Sequence, residues 1–335
     1  MQRTLISGAC GFVGHHVVEH LLKHTDWEII VLDSLTYSSG GYDRLRDIEA
    51  FTAARVRILN ADLKDPLADG IAQEIGQVDH IIHMAAESHV DRSIIDARPF
   101  VLSNVLGTVT MLDFARTQKE LKSFIYFGTD EVFGPAPVGV YYGEDSRYDS
   151  SNPYAASKAG GEEMAVAYRN THGVPVVITH TMNVFGERQH PEKFIPMCVK
   201  KILRDEKITL HASQDLSTPA SRCWIHGRNV GDGLLCLMRN YESAVGQKWN
   251  LVGEEMNVLE VADVIAHTLN RDAKVEMVDF HSSRPGHDMR YALSGEKMKA
   301  RYGWKPPIHL TESLQRVVRW MVKPENARWL FLGKK

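Results

Sequence analysis

Residues 4–14 read Thr4-Leu5-Ile6-Ser7-Gly8-Ala9-Cys10-Gly11-Phe12-Val13-Gly14, and this stretch decides the fold. A short apolar run breaks into three glycines at G-x-x-G-x-x-G spacing. Val13, Val17, Leu21 and Leu22 then share one helical face. A strand, a glycine turn and a helix in that order have a physical use. The turn is tight, no Cβ blocks approach to the backbone, and the helix N-terminus directs free N–H groups at an anion. Asp33 closes the next apolar run, where a carboxylate can bond a ribose 2′-hydroxyl. Three glycines alone would make only a turn. The flanking strand, helix and acid predict a dinucleotide site, and the acid favours NAD over NADP.

The same texture continues outward. Residues 28–32, 56–59, 80–84, 124–127 and 176–179 are apolar runs of strand length. They do not alternate, which suits a parallel sheet covered on both faces. Helical patterns separate them, one carried by Val101, Val105, Val109 and Leu112. The predicted class is α/β, a Rossmann doubly wound parallel sheet. Beyond about residue 180 Pro and Gly punctuate the chain less regularly, and a smaller mixed α/β domain is expected. Within it fall a helix over Val258–Leu269 and a closing helix with Leu310, Leu314, Val317, Val318 and Met321 on one face. The segment 229–253 reads as a helix and strand returning to the first unit. The expected division is 1–183 with 229–253 for the cofactor, and 184–228 with 254–335 for the substrate.

Composition excludes several classes. The 335 residues are 44% hydrophobic and 24% charged, so disorder, collagen and coiled coil are out. Lys+Arg against Asp+Glu is 39 − 42 = −3, which gives no general attraction to nucleic acid or anionic membrane. Cys10, Cys198, Cys223 and Cys236 are scattered, against a disulfide scaffold or a cysteine zinc site. No signal peptide or bilayer-length apolar run is visible, so a cytoplasmic protein is expected. Among 16 histidines the nearest pairs are His15-His16, His80/His83 and His281/His287, without metal-ligand spacing, so no metal is expected. The run Lys200-Lys201-Ile202-Leu203-Arg204 reads as a solvated helix face.

Two groupings carry acid–base chemistry. Tyr154 and Lys158 stand at Y-x-x-x-K, one turn apart on one helical face. A phenol titrates near ~10, too high for a base at neutral pH. A neighbouring ammonium and an oxidised nicotinamide would favour the phenolate. Thr129-Asp130-Glu131 follows the run 124–127, at the strand end where ligands of open parallel sheets sit. On an extended chain the two acids point apart, so one can protonate a leaving group while the other removes a proton. Capping is the plainer reading of those acids, as it is of Asp62 and Asn104, which otherwise suit the cofactor.

Together these residues resemble the extended short-chain dehydrogenase/reductases, and within them the nucleotide-sugar 4,6-dehydratases, with the dTDP-glucose branch the nearest likeness. The resemblance spans nearly the whole chain. It is carried by 8–14, Asp33-Ser34-Leu35-Thr36-Tyr37, Ala85-Ala86-Glu87-Ser88-His89-Val90-Asp91-Arg92-Ser93, Thr129-Asp130-Glu131-Val132-Phe133-Gly134, 154–158, Pro191-Glu192-Lys193-Phe194-Ile195-Pro196 and Arg284-Pro285-Gly286-His287-Asp288. It implies that Tyr154, as phenolate, takes the C4 hydroxyl proton while hydride moves to bound NAD. Thr129 bonds that hydroxyl, and Lys158 lowers the phenol and holds the nicotinamide ribose. Glu131 removes the C5 proton, Asp130 protonates the departing C6 hydroxyl, and hydride returns to C6. The resemblance places Gly8, Gly11, Phe12, Val13, Gly14, Asp33, Asp62, Leu63, Ala85 and Asn104 at the cofactor. It places Ser88, Asn183, Glu192, Lys193, Phe194, Arg222, Asn257, Arg284 and His287 at the nucleotide sugar. It also implies a homodimer through helices over 101–117 and 154–170, and a role in deoxysugar biosynthesis.

The chain departs from the family pattern in places. Gly128 replaces the usual Ser, Glu187 the usual Pro, and Cys223 the usual Asp of R-D-W. His211 aligns where relatives carry an aromatic, and the insert over 213–221 is longer than usual. No catalytic group is lost, but the base and sugar are left open among dTDP-, UDP-, CDP- and GDP-sugars. A 4-epimerase or decarboxylase using the same oxidation is the alternative enzyme, and Asp130-Glu131 argues against the epimerase, which needs no C6 acid. A non-catalytic NAD-binding protein is disfavoured by intact Tyr154, Lys158 and carboxylates.

Overall fold

The computed structural model describes residues 1–280 and 288–331. Strands β1 (Arg3–Ser7), β2 (Glu28–Asp33), β3 (Val56–Asn60), β4 (His80–His83), β5 (Ser123–Thr129) and β6 (Val176–Thr181) match the six predicted runs to within a residue or two. They are followed by β7 (Val184–Phe185), β8 (Ile208–Ala212), β9 (Ser221–His226), β10 (Lys248–Leu251), β11 (Glu254–Asn257), β12 (Val275–Asp279) and β13 (Arg290–Tyr291). A seven-stranded sheet runs β10-β6-β5-β4-β1-β2-β3 with every pairing parallel. The order reverses between β1 and β4, which opens a crevice at their carboxyl ends.

Both sheet faces are covered, which is why the strands are apolar throughout. Leu5, Ile30, Phe124 and Ile178 pack beneath Met111 and Leu112 on one face. Their neighbours Ile6, Val31, Ile125 and Val177 pack with Val17, Leu21 and Leu234 on the other. In the segment 229–253 the helix Gly227–Arg239 leads into β10, which pairs with β6. The other strands form β11-β9-β13, with β7 also on β9, and β12-β8. Helices Phe194–Leu203, Val258–Leu269 and Leu310–Met321 enclose a third core with them, including Val199, Ile265, Leu314 and Val318.

One predicted helix is not continuous. In place of 101–117 there is a short helix Arg98–Val101, a π-turn Leu102–Leu106 and a helix Gly107–Arg116. The Thr108 hydroxyl donates to the Asn104 carbonyl (2.7 Å), one turn back. Such a bond competes with the regular backbone ladder. Gly161 also packs so close that a Cβ there would stand 2.3 Å from the same oxygen.

Among the described residues all four cysteines are free thiols, no helix is long and apolar enough to cross a membrane, and no group of three or more His, Cys, Asp or Glu could hold a metal.

Candidate active site

The glycine turn lies at the crevice. Gly8 has φ +76°, and a Cβ there would stand 2.7 Å from the Ala85 nitrogen just beyond β4. A Cβ on Gly14 would be 2.4 Å from the Gly8 oxygen. Turn, helix and β4 end are thus packed as closely as a pyrophosphate cradle requires. Phe12 and Val13 open the helix Phe12–His24, whose N-cap Gly11 brings no side chain over the first N–H groups. Asp33 accepts from the backbone nitrogens of Cys10 (2.9 Å) and Leu35 (2.8 Å), which fixes its carboxylate at the rim. The Ala85 N–H is turned onto the Ser7 hydroxyl (3.3 Å), and Leu63 is buried under Gly107. These residues fit a dinucleotide.

Two further expected cofactor residues have partners within the protein. Asp62 pairs with Lys64 (3.0 Å) and accepts its backbone N–H (3.0 Å), the capping reading. Asn104 is buried and its amide works within the protein. It accepts from Glu87 N (2.8 Å) and donates to Glu87 O (2.9 Å) and Ser157 Oγ (2.8 Å). Its part is to clamp the loop after β4 onto the helix Pro153–His172.

Thr129-Asp130-Glu131 stands at the end of β5, not on an extended chain as expected but at the start of a 3₁₀ turn, Asp130–Phe133. Thr129 caps that turn, its hydroxyl accepting from Glu131 N (3.4 Å) and donating to Asp130 Oδ1 (3.2 Å). The acids part by their environments. Asp130 is buried, and Oδ2 has no hydrogen-bond partner among the described residues. Burial, and next the Glu131 charge, push it up to about 7, against the pull of Arg222. Burial raises Glu131 too, but Asn152 donates to its Oε2 (3.1 Å) and so favours its ionised form. Burial thus raises both acids while the Asn152 hydrogen bond counters it at Glu131, which suits Asp130 to give a proton and Glu131 to take one.

Asn152 was not singled out in the sequence. It is the N-cap of the helix Pro153–His172, its Oδ1 accepting from Ala155 N (2.9 Å). Asn followed by Pro at the first helical position was the available signal. Tyr154 and Lys158 follow on this helix, and Ser93 Oγ accepts from Tyr154 N (3.1 Å). Burial raises Tyr154 most, the Glu131 charge next, while a hydrogen bond with Thr129 pulls it back. Lys158 is itself lowered to about 7 by burial, with Glu162 opposing. Its ammonium lies 4.4 Å from the centre of the Tyr126 ring. Burial is the largest influence on both groups.

The expected substrate residues gather on the other side. Arg222, on β9, donates to the carbonyls of Ser221 (2.7 Å) and Met289 (2.6 Å) and covers the Tyr291 ring (4.9 Å). Its charge lowers both acids, as that of Lys193 lowers Glu131. Glu192 faces His89 (3.7 Å) and His190 (3.5 Å), and Phe194 stacks on Trp224 (5.9 Å). Ser88 is exposed and Asn183 half-buried. Asn257 caps the helix Val258–Leu269 in a reciprocal box with Glu260. Arg284 and His287 lie outside the described residues. Two departures find a local reason. At Gly128 a Cβ would stand 2.6 Å from the Thr179 oxygen and 3.3 Å from the His180 ring. Glu187 accepts from His226 (2.9 Å) and faces Arg228 (3.5 Å).

Comparison with known proteins agrees with this arrangement. The sequence pattern described as GDP-mannose 4,6 dehydratase matches residues 5–317. A probable dTDP-glucose 4,6-dehydratase of Sinorhizobium fredii is 34% identical, over 98% of this chain and 94% of its own. The low-salt glycan biosynthesis protein Agl12 of Haloferax volcanii is 35% identical, over 94% of this chain and 97% of its own. A dTDP-glucose 4,6-dehydratase from Streptomyces venezuelae, solved with NAD bound, superposes with a TM-score of 0.86 at 35% identity, over 98% of both chains.

Proposed function

The chain belongs to the GDP-mannose 4,6 dehydratase family of extended short-chain dehydrogenase/reductases and uses NAD, and from that premise we propose that it converts a nucleoside-diphosphate hexose to the 4-keto-6-deoxy sugar, with dTDP-glucose as substrate. It is a hydro-lyase. The observation that carries this reading is the pair Asp130 and Glu131, adjacent at the end of β5, with Asp130 Oδ2 unpartnered among the described residues and Glu131 Oε2 held by Asn152. A 4-epimerase has no use for a proton donor at C6.

Gly8, Gly11, Phe12, Val13, Gly14, Asp33 and Ala85 would cradle NAD, which when bound would supply the hydride acceptor for C4 and the donor for C6. Tyr154 takes the C4 hydroxyl proton, oriented by Thr129, and Lys158 holds the ribose and offsets the phenolate's charge. The 4-ketone acidifies C5–H. Glu131 removes that proton, Asp130 protonates the C6 hydroxyl as water departs, and a proton returns to C5 when hydride reaches C6. Arg222, Lys193 and residues of 184–228 with 254–335 grip the diphosphate, which Arg binds well. Residues 1–183 with 229–253 form the cofactor unit.

Purified protein, offered a panel of dTDP-, UDP-, CDP- and GDP-hexoses, should yield from dTDP-glucose a product lighter by one water. A 4-epimer of unchanged mass across the panel would overturn the assignment. The elimination should also fail as pH rises through about 7, since Asp130 acts while protonated and its folded value lies there. Asp130→Asn should lose that limb of the pH–rate profile and about 10²-fold or more in kcat.

The protein is assigned to the cytoplasm, supported by its four free thiols, and to a homodimer. Ile94, Ile95, Val101, Leu102 and Leu106 are all exposed, with Ile95 at 86%, and form an apolar band on neighbouring helical turns. Leu102→Asp with Leu106→Asp should run as a monomer in light scattering where the parent runs as a dimer.

A further inference from the structure

Behind Lys158 lies a polar cluster that the proposed chemistry does not use. Glu162 stands one turn further along the same helix and its side chain is fully buried. A carboxylate in that position is costly unless charged or polar partners surround it. They come from separate elements. Lys248 on β10 approaches Oε1 (2.9 Å), His180 on β6 meets Oε2 (3.0 Å), and the Tyr148 hydroxyl donates to Oε1. Lys248 also donates to the Tyr148 hydroxyl (2.7 Å), and His180 Nδ1 meets Asn250 Oδ1 (3.1 Å). The Phe133 ring closes the cluster edge-on against His180 at 4.8 Å. His180 has its place because residue 128 is glycine.

We propose that Glu162 is a positioning residue for the reaction: a fixed negative charge, anchored by Tyr148, His180 and Lys248 and one helical turn from Lys158, that keeps Lys158 an ammonium in its buried site. The groups facing Lys158 are few. Glu162 comes from its own helix, Tyr126 from β5 and His83 from β4. Of these Glu162 alone is an anion at neutral pH, so the charge that balances Lys158 comes from it. Consistently, burial lowers Lys158 and Glu162 is the group that opposes this. Tethering the helix to the sheet edge would need only polar contacts and no net charge. The proposal rests on the catalytic role given to Lys158, so its test uses no substrate.

Protein labelled with ¹³Cε-lysine can be titrated by NMR, with the Lys158 signal assigned by its loss in Lys158→Met. In Glu162→Gln the Lys158 midpoint should fall by about one pH unit or more, as expected when a nearby opposite charge is removed. Glu162→Asp, which keeps the charge, should bring most of it back. Should Glu162→Gln alone fail to fold with Lys248 unpaired, Glu162→Gln with Lys248→Met removes both charges and should show the same fall. A Lys158 midpoint unchanged in either folded variant overturns the proposal. Activity on the sugar panel does not enter the result, so failure here is separate from failure of the dehydratase assignment.

Discussion

Tyr154→Phe is expected to lower kcat by about 10²–10⁴-fold, the usual worth of a positioned acid or base. The phenol oxygen is the group that takes the C4 proton. Burial and the nearby Glu131 charge both raise it, so its deprotonation is the demanding step. Phe keeps the ring and its edge-on contact with Phe100 (6.4 Å), so the helix start should stay packed. The loss should therefore fall on kcat, with the melting temperature near that of the parent. No 4-keto species should form, and C5 should not exchange with deuterium oxide, because the ketone that acidifies C5–H never appears. Exchange at the parental rate would remove Tyr154 from its role.

Glu131→Gln should give a loss of similar size with the opposite signature. C4 oxidation survives because Tyr154, Thr129 and Lys158 are untouched. The absorbance of reduced nicotinamide should then build up on the enzyme, while deuterium exchange at C5 and loss of water both stop. Gln can still accept from Asn152, so the turn Asp130–Phe133 keeps its anchor. Removing the Glu131 charge should also let Asp130 fall, since that charge is the second cause of its rise. Normal turnover in Glu131→Gln would reassign the base.

The sequence made legible whatever depends on near neighbours along the chain. Apolar runs without alternation gave the buried strands, and the spacing of Gly8, Gly11 and Gly14 gave the cradle. Thr129-Asp130-Glu131 could be placed because strand ends of parallel sheets face the ligand. What escaped depends on burial and on distant partners. The contacts of Asn152 with Glu131 and of His180 with Glu162 join residues 21 and 18 apart that lie on different elements. Nothing in Tyr154-Ala155-Ala156-Ser157-Lys158 says how dry its surroundings are, so the balance between burial and the lysine's charge could not be read. Asn104 was read as a cofactor residue or a cap, and its use as a clamp needed the loop at Glu87 to be in place.

Asn152 starts the helix of Tyr154 with one end of its amide and steadies Glu131 with the other. The distances that matter for the reaction are thus measured from a common origin, the junction of β5 with that helix. The segment 134–151, which leaves this junction and returns to it, sets none of them through its own length. Acid, base and phenol therefore keep one reference frame, and a change in loop length beyond residue 134 that spares Tyr148, which is tied to Glu162 and Lys248, leaves that frame in place.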